Sequence, residues 1–454
     1  MRIHITVRSR QGAGNGTFRR AAVCAASVLA SACSADVLEV VDPDVLNVGD
    51  YSTPAGAAPL KNGVLADFYN AFSGSIDGVV VVTGALSDEV RANDTFIDRM
   101  SVDARKVEEV NPNMETPYRG LHRARSGAAR TIRIISESTP NDKTGIAEMY
   151  TIRGLSEVLF GEMYCSGVPF SEEDGVTTTF GDPQTTQVVL QRAVASFDTA
   201  LATVDSNRVR YVAQIGRARA LLDLGQYAQA AAAVAGVPTT YRYTTFHSTA
   251  SARQENGIWN ATGVNSSRYN AANNEGRNGL NYLQTPADPR MPWTASTRVG
   301  FNSLFTQLPT QLKYARTTPV VIADGIEARL IELEARLQGG TQGDRDAVFA
   351  GLNTLRTTNT PAVTAIAGTA PTTQAAAVDL LFRERAYWMW LTGHRLGDMR
   401  RLIRQYGRTA ESVFPTGDQG APIAGQTYGP DVNFIIPFDE RNNPKFTGCI
   451  DRNA

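Results

Sequence analysis

The stretch DLLFRERAYWMWLTGHRLGDMRRLIRQYGR, from Asp379 to Arg408, limits the possible folds more than any other part of the chain. Nine charged side chains precede Gly407, yet two of the four Trp residues stand among them. Leu380, Glu384, Tyr387 and Leu391 share one face at helical spacing, and Leu396, Met399, Ile403 and Tyr406 repeat the pattern after Gly393. Two helices meeting at Gly393 are predicted, because Gly readily takes the left-handed conformation that ends a helix. A solvated face has no need of Tyr387, Trp388 and Trp390 beside its charges. The pattern therefore points to an ionic layer held between packed helices, a role that suits the planar fork of Arg. Glu384, Arg385, Trp388, His394, Arg395 and Asp398 are expected to be structural residues of that layer.

A second run, ARALLDLGQYAQAAAAVAGVP at Ala218–Pro238, carries the L-G-x-Y-x-x-A spacing of a tetratricopeptide helix-turn-helix. Gly225 would make the turn, Tyr227 fill the gap between two helices, and Ala230 allow their close approach. Helical periods flank it at Ala58–Phe72, Tyr118–Glu137, Asp142–Tyr164, Pro183–Val204 and Asn207–Leu224, then again at Ile322–Gln338 and Asp344–Thr357. Gly154 and Gly161 would permit close helix contact. Gly78–Gly84, GVVVVTG, reads as a short strand or buried turn. The expected fold class is mainly α, built from tetratricopeptide-like helix pairs with a large irregular region.

That irregular region begins near Tyr241, where the composition turns to Asn, Thr, Ser and Arg. The expected division is 1–32, an export signal; 33–240, an N-terminal part with helix pairs; 241–320, an irregular insertion; and 321–454, C-terminal helix pairs with an extended closing tail. Trp259, Tyr269, Tyr282 and Trp293 sit among amide and guanidinium groups in the insertion. A flat apolar ring with hydrogen bonds at its edge is what a sugar-like ligand needs, so these four are candidate ligand-binding residues, with Arg268, Arg277 and Asn278 at the edges. The competing location is the N-terminal half, around Tyr69, Phe72 and the turns at 74–84.

The front of the chain reads as a signal. Arg2, Arg8, Arg10, Arg19 and Arg20 precede a 12-residue apolar run at 21–32, too short to span a bilayer. Cys33 follows the small residues Ala30, Ser31 and Ala32, as in a lipoprotein whose new terminal Cys is acylated. Of the other cysteines, Cys24 falls within the signal, and Cys165 and Cys449 are an even pair in a compartment where disulfides persist. The formal charge is -1, from 44 basic and 45 acidic residues; without the five Arg of 1–32 it becomes 39 against 45, or -6. This balance argues against nucleic acid as a partner. His4, His122, His247 and His394 are not at metal-ligand spacing, and no nucleophile elbow, Walker loop or dinucleotide fingerprint is present. No metal and no cofactor are expected.

These features together resemble the SusD/RagB family of outer-membrane nutrient-binding lipoproteins. The resemblance is carried by Cys33, the helix pair at Tyr118–Tyr164, the run from Ala218, and above all two C-terminal motifs. Glu384, Arg385, Gly393, His394, Arg395, Asp398, Arg400 and Arg401 match the first; Ile436-Pro437 and Asn443-Pro444 match the second. It implies four tetratricopeptide-like pairs and an irregular half that carries the ligand site, while the absence of every sharp catalytic motif on a repeat scaffold leads to the expectation of no enzymatic activity. It also implies a lipid anchor, a place on the outer membrane facing the exterior, and delivery of an oligosaccharide or peptide to a TonB-dependent transporter of the SusC type. Two other classes stay open on the residues alone: a glycoside hydrolase-like enzyme with an unrecognised carboxylate pair, and a tetratricopeptide-type protein-interaction scaffold.

Overall fold

A computed structural model of the protein describes residues 53–173, 177–263 and 267–454. The expected signal at 1–32 and Cys33 lie outside the described residues. Helix α1 (Pro54–Tyr69) starts where the Thr53 hydroxyl accepts the Gly56 amide and Pro54 presets the first turn, and it runs on as a π turn, Asn70–Gly74. Helix α2 (Val79–Leu86) replaces the strand or turn expected at 78–84. All eight of its residues are buried, so packing on every face overrides the β preference of four consecutive Val. Strand β1 (Val90–Ala92) and helix α3 (Ile97–Asp103) follow.

The helical body then builds by neighbour packing. Helix α4 (Pro112–Ser138) is capped by Asn111, and it buries Leu121, Ala124, Ala128, Ile132 and Ile135 along one stripe. Helix α5 (Lys143–Met163) is buried nearly all round, because α4 covers one side and α6 (Thr186–Thr203) the other. Helix α7 (Asn207–Asp223) packs on α6, and α8 (Tyr227–Val234) on α7. Close approach is obligatory at Gly154, where an added Cβ would come 2.8 Å from the Phe197 ring. Gly225 turns the chain between α7 and α8 at φ 72°, Ala230 is fully buried, and the Tyr227 hydroxyl donates to Gln405 Oε1 at 3.1 Å.

After α8 the chain forms β2 (Arg242–Thr244), crosses the irregular stretch with a short helix α9 (Gly257–Thr262) and strand β3 (Tyr269–Ala271), and returns as β4 (Val321–Asp324). Strands β2 and β4 pair antiparallel, with Ala323 opposite Tyr243, so the stretch leaves and rejoins the helices at one clasp. Strand β3 pairs antiparallel with β1, with Arg91 opposite Asn270. Helices α10 (Gly325–Leu337), α11 (Gln342–Thr358) and α12 (Gln374–Trp388) then extend the body from α8. Helix α13 (Arg395–Tyr406) packs against α2 and α5, and a single-turn α14 (Ala410–Val413) follows. Residues Ser52–Ala454 form one compact unit.

The ionic layer expected between α12 and α13 is present and buried. Arg385 Nε donates to both oxygens of Asp398 at 2.9 and 2.7 Å, and Arg401 Nη2 donates to Asp398 at 2.8 Å. Burial alone would raise the Asp398 pKa, but Arg385 and Arg401 hold it at about 2. Arg395 grips Asp88 at 2.7 and 2.9 Å, and Glu384 accepts from Arg290 at 2.7 Å and Arg356 at 2.8 Å. His394 lies 2.9 Å from Arg219 Nη1, and the Arg290 guanidinium sits 5.1 Å over the Trp388 ring. Gly393 has φ 73° between the helices, as expected, but α12 already ends at Trp388, and Leu391, at φ 53°, lies in the connecting turn and not on the helix face the sequence pattern gives it. The tail is fixed by Phe434, whose N–H donates to Met163 O at 2.8 Å and whose C=O accepts from Cys165 at 2.8 Å. Cys165 and Cys449 are disulfide-bonded.

Candidate functional site

Three segments remote in sequence converge beside β1 and β3. The Asp94 carboxylate accepts the Thr95 amide at 2.7 Å and the Phe96 amide at 3.3 Å, an Asx turn that aims Phe96 outward at the entry to α3. Backbone hydrogen bonds join Asn93 to Arg268 O at 2.7 Å, Phe301 to Ser267 O at 2.9 Å and Asn302 to Asn93 O at 3.0 Å. Phe301 belongs to the tip of a long irregular hairpin. Its arms meet at Trp293–Thr294 against Thr310–Gln311 and again at Val299 against Thr306.

The result is a stack. The Arg268 guanidinium lies 5.0 Å from the centre of the Phe96 ring and 3.9 Å from that of Phe301. Phe96 is 52% exposed and Phe301 50%, so both present ring surface to solvent, with Ile97 and Leu304 exposed beside them. Beneath the rings, Arg268 Nη1 donates to Asp94 at 2.6 and 2.8 Å, and Arg99 Nη1 donates to the same carboxylate at 2.7 Å. Arg99 also forks onto Asp77 at 2.8 and 2.5 Å, and the Tyr269 hydroxyl donates to Asp77 at 3.0 Å. Burial works to raise the Asp94 pKa, but hydrogen bonds from Arg268 and Arg99 bring it below the usual carboxylate value. Two carboxylates and two guanidinium groups balance, leaving an aromatic surface on a locally neutral, interlocked base.

The expected ligand residues are divided by this geometry. Arg268 is at the centre of the stack. Tyr269 is fully buried as part of its base, and burial next to Asp77 drives its phenol pKa well up. Tyr282 is also buried: its hydroxyl donates to Asp88 at 3.1 Å and its ring stacks on Trp390 at 6.2 Å, so it belongs to the ionic layer. Neither Tyr offers a face to a ligand, because the polar neighbours that made them look exposed in sequence are paired inside the protein. Trp259 is half-buried in α9, with Arg316 5.9 Å from its ring, and the half-buried Trp293 donates its indole N–H to Gln284 O at 2.9 Å. Asn278 donates to Glu411 O and Phe414 O at 2.7 and 2.9 Å, and the Arg277 amide donates to Thr416 O at 3.1 Å. Both hold the tail near α14 and are not part of the stack. Phe96 and Phe301 were missed by sequence reasoning, since each is a lone Phe in a polar turn without periodicity.

Among the described residues no group of His, Cys, Asp and Glu is arranged to hold a metal ion, and no helix is long and apolar enough to cross a membrane. No protein-family model matches the chain, and no curated protein matches it by sequence. Solved structures do. A SusD superfamily protein from Bacteroides vulgatus superposes with a TM-score of 0.63 at 15% identity, over 88% of this chain and 99% of that one. A SusD-like carbohydrate-binding protein from Bacteroides fragilis gives 0.63 at 13% identity, over 87% and 99%. A laminarin-binding SusD-like protein gives 0.61 at 14% identity, over 88% and 99%. At these identities the likeness speaks for architecture: the chain has the SusD-like fold.

Proposed function

We propose that this protein is a glycan-binding lipoprotein of the outer membrane that captures oligosaccharides at the Phe96–Arg268–Phe301 surface. It would hold them for delivery to a TonB-dependent transporter of the SusC type. The observation that carries the reading is the pair of half-exposed rings braced by one guanidinium over a neutral, buried ion network. Sugar rings present apolar C–H faces and a rim of hydroxyls. Phe96 and Phe301 supply faces to match, and Thr95 and Asn302 supply polar partners. Charge balance beneath the rings favours a neutral glycan over an ionic ligand. Binding without turnover is supported by the acids beneath the rings, since Asp77 and Asp94 are both engaged by guanidinium groups inside the protein.

Surface attachment rests on the apolar run at 21–32 and on Cys33. Two measurements test the proposal. Isothermal titration calorimetry of the wild type against neutral oligosaccharides should give binding without products, whereas hydrolysis abolished by changing one Glu or Asp would replace it with an enzyme. Cys33→Ser should move the protein from the membrane fraction to the soluble one; continued membrane association without fatty-acid label in the wild type would remove the anchor.

A further inference from the structure

A second opening shares no residue with the aromatic surface. It is a cleft of about 700 Å³ between the C-terminal half of α1, its π turn, and the segment from Phe246 to Gln254. Tyr69 forms one wall. Its hydroxyl meets the buried Tyr243, whose own hydroxyl donates to Glu148 at 2.8 Å, so the polar end is satisfied inward, and the ring packs in part on the core and in part lines the cleft. Phe246 also lines the cleft and is 69% exposed. Its neighbour His247 is buried and braced: Nδ1 lies 3.2 Å from Gln254 O, and Nε2 lies 2.9 Å from the Ser73 hydroxyl and 3.0 Å from that of Thr245. With Nδ1–H donating to the carbonyl, Nε2 accepts from the hydroxyls, and the segment is pinned against the π turn.

The cleft is therefore preformed, and its size falls within the usual range for small-molecule sites. Asn62, Asn70, Arg253 and Gln254 also line it. Gln254 Oε1 accepts from Ser248 at 2.7 Å, which orients its amide nitrogen as a donor. The π turn that closes α1 places Asn70 on the wall of the cleft. An aromatic wall with amide and guanidinium donors around it is the chemistry of saccharide recognition.

We propose that this cleft is a second, independent binding site for a short saccharide, with a sugar face against Tyr69 and its hydroxyls on Asn62, Asn70 and Gln254. The proposal does not depend on the Phe96–Phe301 surface being a glycan site. Gly63 provides the test. It lines the cleft, so a Trp placed there should obstruct the site, and because a Cβ added at this exposed helical position meets nothing within 4 Å, Gly63→Trp should spare the fold.

Saturation-transfer difference NMR with maltose, cellobiose and laminaribiose should show contact in the wild type. The double variant Phe96→Ala/Phe301→Ala should keep part of that signal, and adding Gly63→Trp should abolish the remainder, while adding Gly63→Ala should not. Loss of all signal in the double variant would overturn the second site and leave the aromatic surface standing. Residual signal that survives Gly63→Trp would also overturn it, as would no contact by any of the three sugars in the wild type. Signal lost with Gly63→Trp alone would uphold the cleft and remove the aromatic surface as a glycan site.

Discussion

Phe301→Ala probes the aromatic surface most directly. Phe301 is 50% exposed, and a Phe side chain offers roughly 200 Å², so about 100 Å² of it stands open to a ligand. A sugar lying on one face covers about half of that area, and at ~25 cal/mol per Å² the contact contributes about 1.2 kcal/mol. Losing it should raise Kd roughly eightfold. The fold should be spared, because the Phe301 amide bonds Ser267 O through the backbone and Arg268 keeps Asp94. Calorimetry on a neutral oligosaccharide that binds the wild type would read the change, with thermal melting as the control for folding. Phe301→Trp, which enlarges the ring, should bind at least as tightly as the wild type. An unchanged Kd in Phe301→Ala, with Phe96→Ala equally silent, would refute the argument that these rings carry the ligand.

Asp398→Asn removes the charge that Arg385 and Arg401 share in a buried site, and should cost about 3–5 kcal/mol by urea unfolding. The pH dependence has a definite sign. The folded pKa of about 2 lies below the unfolded value near 3.9, so roughly 2.5 kcal/mol of stability is present above about pH 4 and is lost as pH falls toward 2. That acid limb should shrink in the variant; an identical pH profile would show that the layer does not hold Asp398 ionised. Replacing Cys165 and Cys449 together by Ser frees a tail linked across 284 residues, and should lower stability by about 2–4 kcal/mol. Wild type under reducing conditions should melt like the double variant, and a melting temperature insensitive to both changes would contradict this.

The helix pair around Gly393 was legible because period, capping and crowded aromatics all agreed. Its depth was legible too, since Arg and Glu beside Trp at helical spacing have few comfortable places outside a packed interface. Helix α2 was not legible: four consecutive Val carry a strand signal, and only neighbours on every face make a helix of them. The ligand surface failed for a related reason. Tyr269 and Tyr282 sit among polar residues, and a sequence does not tell whether polar neighbours face water or one another. Here Asp77 and Asp88, distant in sequence, receive the two hydroxyls. Phe96 and Phe301 acquire meaning only once β1 and β3 pair and bring Arg268 between them.

The layering of this surface bears on how recognition can change over time. Phe96, Phe301 and Leu304 stand on turns and Ile97 on the exposed first residue of α3, while the acids and guanidinium groups beneath the two rings lie one level below and touch them chiefly through Arg268. Exchanging a tip residue alters ring size, reach or polarity without disturbing the fork of Arg99 on Asp77 or the grip on Asp94. Such a design is evolvable: new cargo preferences are reachable by single substitutions that leave folding intact. It also makes the protein a chassis for directed evolution, in which a library confined to those four positions should yield altered ligand choice at little loss of expression.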